Sequence, residues 1–198
     1  METRKMSKAD YEKVILTDVD GVLLNWGYAF NIWMEQHGHK KVEDVYTVHK
    51  AYGIEKEASK RLVRQFNESA AIGFLPPLRD AIHYVRKLHE EYGYVFHAIT
   101  SLSLDPHAGE LRTQNLKKLF GETAFEKYVY LDTGADKDEA LAEYKDTEYL
   151  WVEDKVENAL AGDKAGLDSV IMEHGYNMHR NELPLMKGWK DIYEYLEG

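Results

Sequence analysis

The sequence predicts an α/β fold, a parallel sheet covered by helices on both faces, with a small helical segment inserted after the first strand. Three observations predict it. Short apolar runs alternate with helical patterns along most of the chain. The runs are rich in β-formers and carry no alternation of polar residues, as strands buried on both faces do. The stretch from Trp26 to Phe74 breaks the alternation and contains no convincing strand.

In chain order, the first run is Val14-Ile15-Leu16-Thr17, ending in Asp18. Further runs cover Tyr94 to Thr100, Tyr128 to Asp132, Tyr149 to Asp154 and Ser169 to Glu173. Between them, Leu78, Ile82, Val85 and Leu88 share one helical face. Leu111, Leu116, Leu119 and Phe120 form another, opened by Asp105 as N-cap and Pro106 at the first helical position. Asp136 with Glu139 and Asp154 with Glu157 have capping-box spacing and predict two later helix starts. Right-handed crossovers then bring every loop that follows a strand to one end of the sheet, where ligands bind.

Within the insertion, Ile54, Ala58, Leu62 and Phe66 recur at helical spacing, and Val42, Val45 and Tyr46 suggest another helix, with Gly53 between them. Pro76-Pro77 closes the segment. It reads as a helical insertion over the ligand end of the sheet, or as two extra packing helices.

Composition sets the limits. The chain has 198 residues, enough to bury a core, with 44% hydrophobic and 30% charged residues. It has no cysteine, which removes disulfides, thiolate metal sites and cysteine nucleophiles. No apolar stretch is long enough to span a bilayer, and Met1 to Asp10 lacks the apolar region of a secretory signal. A cytoplasmic protein with no membrane partner is expected. The net charge of -10 disfavours long nucleic acid as a partner. The nine histidines form no metal motif, and no P-loop appears. Oligomeric state is not readable.

Four strand ends carry chemistry. Asp18-Val19-Asp20-Gly21 follows the first strand. Two carboxylates there can divide their duties, one attacking phosphorus and binding a metal, the other handling the leaving-group proton. Thr100-Ser101 at the end of the second strand offers a hydroxyl and backbone N–H groups to a phosphate oxygen. Lys137, after Asp136, can offset carboxylate and phosphate charge, with Lys117 and Lys118 as rivals. Glu153-Asp154 closes the fourth run and can complete an oxygen site for Mg²⁺, or Asp154 can act as an N-cap, or both.

In this order, the four features resemble the haloacid dehalogenase-like (HAD) phosphatase superfamily, whose small helical cap follows the first motif. The run Phe74-Leu75-Pro76-Pro77-Leu78-Arg79-Asp80-Ala81 before the Thr100-Ser101 strand end is similar to the 5′(3′)-deoxyribonucleotidase-like branch. The resemblance implies a Rossmann-like three-layer core over 1–25 and 75–198 with a cap over 26–74. It implies Asp18 as nucleophile and Asp20 as the acid and base. Mg²⁺ would sit on Asp18, the Asp20 carbonyl and Asp154. Thr100 and Ser101 would hold the phosphoryl group, and Lys137 would orient Asp18. The implied substrate is a small phosphorylated molecule, a nucleotide or a similar metabolite. Glu153 stands where the family commonly has Asp and is assigned behind the ligands, and Asn158 stands where some relatives have a further acid.

Trp26, Tyr28, Phe30 and Trp33 read first as packing within the cap and second as a platform for a base. Arg61 and Arg64 read as solvated, and His174 and His179 as surface or packing residues. A phospho-acceptor domain with Asp132 as acceptor, a non-catalytic binding protein, and phosphatases of sugar phosphates or nucleic-acid ends are the alternatives.

Overall fold

The computed structural model describes residues 12–197. The lysine-bearing N-terminal stretch read above, Met1 to Asp10, lies outside them. The elements run β1 (Val14–Thr17), α1 (Trp26–Gln36), α2 (Val48–Ala51), α3 (Lys56–Asn67), a 3-10 turn (Ala70–Phe74), α4 (Ala81–Glu90), β2 (Val95–Ser101), α5 (Pro106–Phe120) and β3 (Phe125–Leu131). They continue with α6 (Asp138–Ala142), β4 (Leu150–Glu153), α7 (Val156–Lys164), β5 (Asp168–Met172), β6 (Leu185–Met186) and α8 (Trp189–Glu197). One six-stranded sheet has the order β3-β2-β1-β4-β5-β6, every pair parallel. This is the α/β architecture the sequence predicts.

The apolar runs become strands because both faces of the sheet are covered. Ile15, Phe96, Ala98, Leu150 and Val152 enter the larger core beneath α4, α5 and α8. Their alternates Leu16, Ile99 and Trp151 pack on the other face with Leu141 and Leu167. Gly162 lets α7 approach that face closely: a Cβ there would collide with the Trp151 ring and lie 2.8 Å from Ser169 Oγ. Trp189, fully buried, ties α8 to the loop after β1 through an Nε1–H bond to the Val22 carbonyl at 2.9 Å.

Residues 26–74 contain α1 to α3 and the 3-10 turn, and no strand. Their two ends run side by side. Asn25 N donates to Pro76 O at 2.8 Å, and Leu78 N donates to Leu23 O at 2.8 Å. The Phe74–Ala81 run therefore closes the insertion. It also steers the C-terminus, because the Asp80 carboxylate accepts from Trp189 N and Lys190 N at 2.9 and 3.0 Å and caps α8.

Three expectations are corrected. Val42 to Tyr46 is not helical; the helix is the short α2 that follows. Val42 N and Glu43 N both bond the Ala51 carbonyl, so the segment folds back along α2, and Val42 and Tyr46 stay exposed. Neither capping box forms. The cap residues are Lys137 for α6 and Lys155 for α7, each without a side-chain cap bond. The Asp136 side chain instead lies 3.4 Å from Lys155 Nζ, and Asp154 is drawn into the cluster described below. The two-residue edge strand β6 was not read, since a pair of residues carries no periodicity. Among the described residues, no helix is long and apolar enough to cross a membrane.

Candidate active site

The loops after β1, β2, β3 and β4 meet at the carboxyl end of the sheet, where the strand order reverses on either side of β1. β1 delivers Asp18 there, and Asp18 N continues the ladder to Val152 O on β4 at 2.9 Å. The chain then turns sharply, with Leu23 N and Leu24 N both bonded to Val19 O. Gly21 has φ +78°, and a Cβ on it would sit 2.5 Å from Asp154 Oδ2. Only glycine meets both demands. Gly21→Ala is expected to cost about 1–3 kcal/mol, the scale of a strained backbone residue, and to displace Asp154. Thermal unfolding checks the first effect, and a crystal structure of the variant checks the second.

At the centre is Lys137. Its side chain is 2% exposed, and Nζ lies 2.7 Å from Asp18 Oδ1 and 2.6 Å from Glu153 Oε2. Burial alone would push the ammonium down, but Asp18 and Glu153 together hold it above its ordinary value. The rivals Lys117 and Lys118 sit in the last turn of α5, away from this cluster.

The acids around Lys137 are crowded. Burial first, then the charge of Glu153, raises Asp18 to about 6 against the pull of Lys137. Burial and the charge of Asp18 raise Asp154 to about 6 as well. Asp18, Glu153 and Asp154 each offer a carboxylate oxygen, all within 4.8 Å of one another. Glu153 is already engaged. One oxygen accepts from Lys137 and Asn158 Nδ2, the other from Asp154 N and Lys155 N. It aligns Lys137 and the β4–α7 turn. Asp18 and Asp154 are left as the carboxylates a cation can use.

Asp20 is handled differently. Its carboxylate meets Arg112 of α5 in a fork, 2.7 Å to Nη1 and 3.2 Å to Nη2. The Asp20 side chain is thus outside the carboxylate trio, and the Asp20 group expected at a metal is its carbonyl. Thr100 Oγ1 is buried with no hydrogen-bond partner among the described residues. The Ser101 hydroxyl donates to Ala135 O at 2.7 Å and ties β2 to the loop carrying Lys137. Asp18, Asp20, Thr100, Ser101, Lys137 and Asp154 all line one cavity of about 870 Å³.

Sequence reading missed several residues here. Tyr176 donates to Asp154 Oδ2, stacks on His174 and is met edge-on by Tyr46. His174 Nε2 lies 2.7 Å from the Gly21 carbonyl, and burial lowers its proton affinity. Nothing in the spacing of His174 and Tyr176 announces this, because both reach the site from the loop after β5. Arg112 was missed because a lone arginine in a helix reads as solvated. Asn115, three positions on, is buried on the same helix face. On the insertion side, Trp26 and Phe30 stack at 4.4 Å, close against Phe66, and also line the cavity. Arg64 stays exposed, as expected, and pairs with Asp132 at 3.0 Å, linking α3 to the loop after β3.

Solved structures share this fold. A haloacid dehalogenase-like family hydrolase from Streptococcus pneumoniae superposes with a TM-score of 0.64 at 14% identity, covering 95% of this chain and 100% of that one. The fold is that of the HAD-like hydrolases. A predicted phosphoglycolate phosphatase from Haemophilus somnus matches with a TM-score of 0.63 at 14% identity, over 98% and 100% of the two chains. A protein described as the HAD-hydrolase YfnB of Bacillus subtilis, bound to magnesium, matches with a TM-score of 0.61 at 15% identity, over 94% and 99%. In sequence, the chain is 30% identical over 141 residues to an uncharacterized 32.4 kDa protein of enterobacteria phage T4, encoded in the Gp30–rIII intergenic region. That match covers 67% of this chain, and the chain spans about half the length of that relative, 49%. No protein-family model matches the chain.

Proposed function

We propose that the chain is a Mg²⁺-dependent phosphomonoester hydrolase that works through an aspartyl-phosphate on Asp18, with a nucleotide or a similar small phosphorylated metabolite as substrate. The observation that carries this reading is Lys137, a buried cation bridging Asp18 and Glu153 in the wall of a cavity. Burying a lysine between two acids costs desolvation, and such clusters concentrate at functional sites. The HAD-like fold of the neighbours supports the same reading.

The donor set fits a hard divalent cation. Asp18 and Asp154 present oxygens within 4.8 Å of each other, and their mutual repulsion is relieved by positive charge. Asp18, Asp154 and the Asp20 carbonyl would hold it. Bound Mg²⁺ would screen the negative charge of nucleophile and phosphate and polarise the phosphoryl oxygens.

The chain's own residues supply the rest. An Asp18 oxygen attacks phosphorus in line while the bond to the leaving oxygen breaks. Asp20 gives that oxygen its proton. In the second step, Asp20 takes a proton from water as the water attacks the aspartyl-phosphate, releasing inorganic phosphate and restoring Asp18. Thr100 Oγ1, buried and without a partner of its own, is placed to donate to a phosphoryl oxygen. Lys137 holds the Asp18 carboxylate in place and balances its charge. Phosphoryl transfer draws mainly on such positioning and charge balance.

A cavity of about 870 Å³ lies within the range of small-molecule clefts. Trp26 and Phe30 on its insertion side favour a substrate with an aromatic base, although their first engagement is with each other. Asp132, the acceptor required by the phospho-acceptor alternative, is instead paired with Arg64 and with Thr133 N.

Phosphate release from deoxynucleotide, ribonucleotide and sugar monophosphates, each with Mg²⁺ and with EDTA, tests the reading. Release that needs Mg²⁺ and favours nucleotides is expected. Release from none of them overturns the proposal. Mg²⁺ at about a hundred times its dissociation constant should also stabilise the fold by about 2.7 kcal/mol. Asp154→Asn should remove most of that gain, as read by thermal unfolding.

A further inference from the structure

We infer that Arg112 is the positioning residue for Asp20, setting the carboxyl that serves the leaving oxygen. The inference rests on the hydrolase reading above and deepens it.

The Arg112 side chain is fully buried, whereas that of Asp20 keeps 20% exposure. Asp20 lines the cavity and Arg112 does not, so the guanidinium lies behind the carboxylate. The two bonds of 2.7 and 3.2 Å fix the carboxylate plane, which two rotatable bonds would otherwise leave free. A carboxylate has about four acceptor sites, and the fork uses two. The others remain on the open side, where a proton can be passed on. Arg112 Nε makes no hydrogen bond among the described residues, so the cation's hydrogen bonds are directed at Asp20.

The helix that carries Arg112 is itself anchored. Ala108, Arg112 and Asn115 lie on one buried face of α5. Asn115 Nδ2 donates to Leu75 O at 3.1 Å, next to the point where the insertion rejoins the core. The Asp20 turn is tied to the same place through Asn25 N and Pro76 O. Fork and turn therefore share one rigid support. A purely structural arginine would serve equally well with a partner outside the site; this one spends its charge on an acid at the cavity wall.

Leaving-group dependence tests the inference. An alkyl phosphate departs as a basic alkoxide and needs a proton from Asp20, whereas p-nitrophenyl phosphate departs as a weakly basic phenolate and needs little help. The quantity to measure is kcat/KM, which covers the steps through leaving-group departure. For Arg112→Met, the loss with the alkyl ester that performs best in the panel above should exceed the loss with p-nitrophenyl phosphate by about 30-fold, within the range of general acid catalysis. In an Asp20→Asn background, Arg112→Met should cause no further loss with the alkyl ester, because the two act as a unit. Arg112→Lys keeps the charge but not the fork, and should show the same discrimination to a smaller degree. It also serves as the test variant if Arg112→Met does not fold. Equal losses with both esters, or losses that multiply in the double variant, overturn the inference and leave the hydrolase reading standing. A wild-type protein that hydrolyses neither ester overturns both.

Discussion

Asp18→Asn is expected to lose turnover by about 10⁴-fold or more, the scale of removing a covalent nucleophile, while the fold becomes no less stable. The two effects have one cause. Asp18 is buried, and burial together with Glu153 raises it to about 6 from the ordinary 3.8. Between those values the folded chain binds more protons at this site than the unfolded chain, so its contribution to stability falls as pH rises through that window. Above pH 6 the ionised carboxylate carries its full cost in the metal-free protein. Asparagine has the same shape and no charge, and Lys137 keeps Glu153 as a partner. Thermal unfolding without Mg²⁺ at pH 5 and pH 7.5 should show the variant gaining on the wild type at the higher pH. Turnover within tenfold of wild type would exclude Asp18 as nucleophile.

The second large effect is on stability. Lys137→Met leaves Asp18 and Glu153 without their counter-charge inside the fold. Breaking a buried ion pair from one side costs about 3–5 kcal/mol. For a domain of this size that corresponds to about 10 °C in unfolding temperature. Turnover should fall along with it. Adding Glu153→Gln to Lys137→Met removes one of the stranded charges and should restore part of the lost stability, so the two substitutions are strongly non-additive. A Lys137→Met protein that unfolds at the wild-type temperature would show that Lys137 does not balance these acids.

Residues with one dominant local demand were legible in the sequence. β1, β2, β4 and β5 stand out because strands buried on both faces carry apolar runs, as Val14 to Leu16 does. The acids, Thr100-Ser101 and Lys137 stand out because the strand ends place them, and the structure brings them to one cavity. Residues pulled by two demands were read only in part. Asp154 reads as having both a cap's spacing and a place in the acidic cluster, and only the cluster place holds, its carboxylate going to Tyr176 and the cluster. Val42 and Tyr46 have helical spacing, yet the backbone there bonds back to Ala51. Residues whose meaning lies in a distant partner left no trace. Arg112 and Asp20 are 92 positions apart, and His174 reaches Gly21 across 153. No local pattern encodes such pairs.

The central place of β1 in the sheet affects how the protein is made. Val14 pairs with Val95, and Ile15 pairs with Leu150. At about 5–20 residues per second of synthesis, β1 leaves the ribosome seconds before either neighbour exists. The first strand to be made thus waits for β4 before both of its edges are paired. A nascent chain that has not yet reached Glu153 carries Asp18 without its finished surroundings. Return of the buried Lys137 cluster after denaturation would therefore time pairing at the centre of the sheet rather than the folding of any one segment.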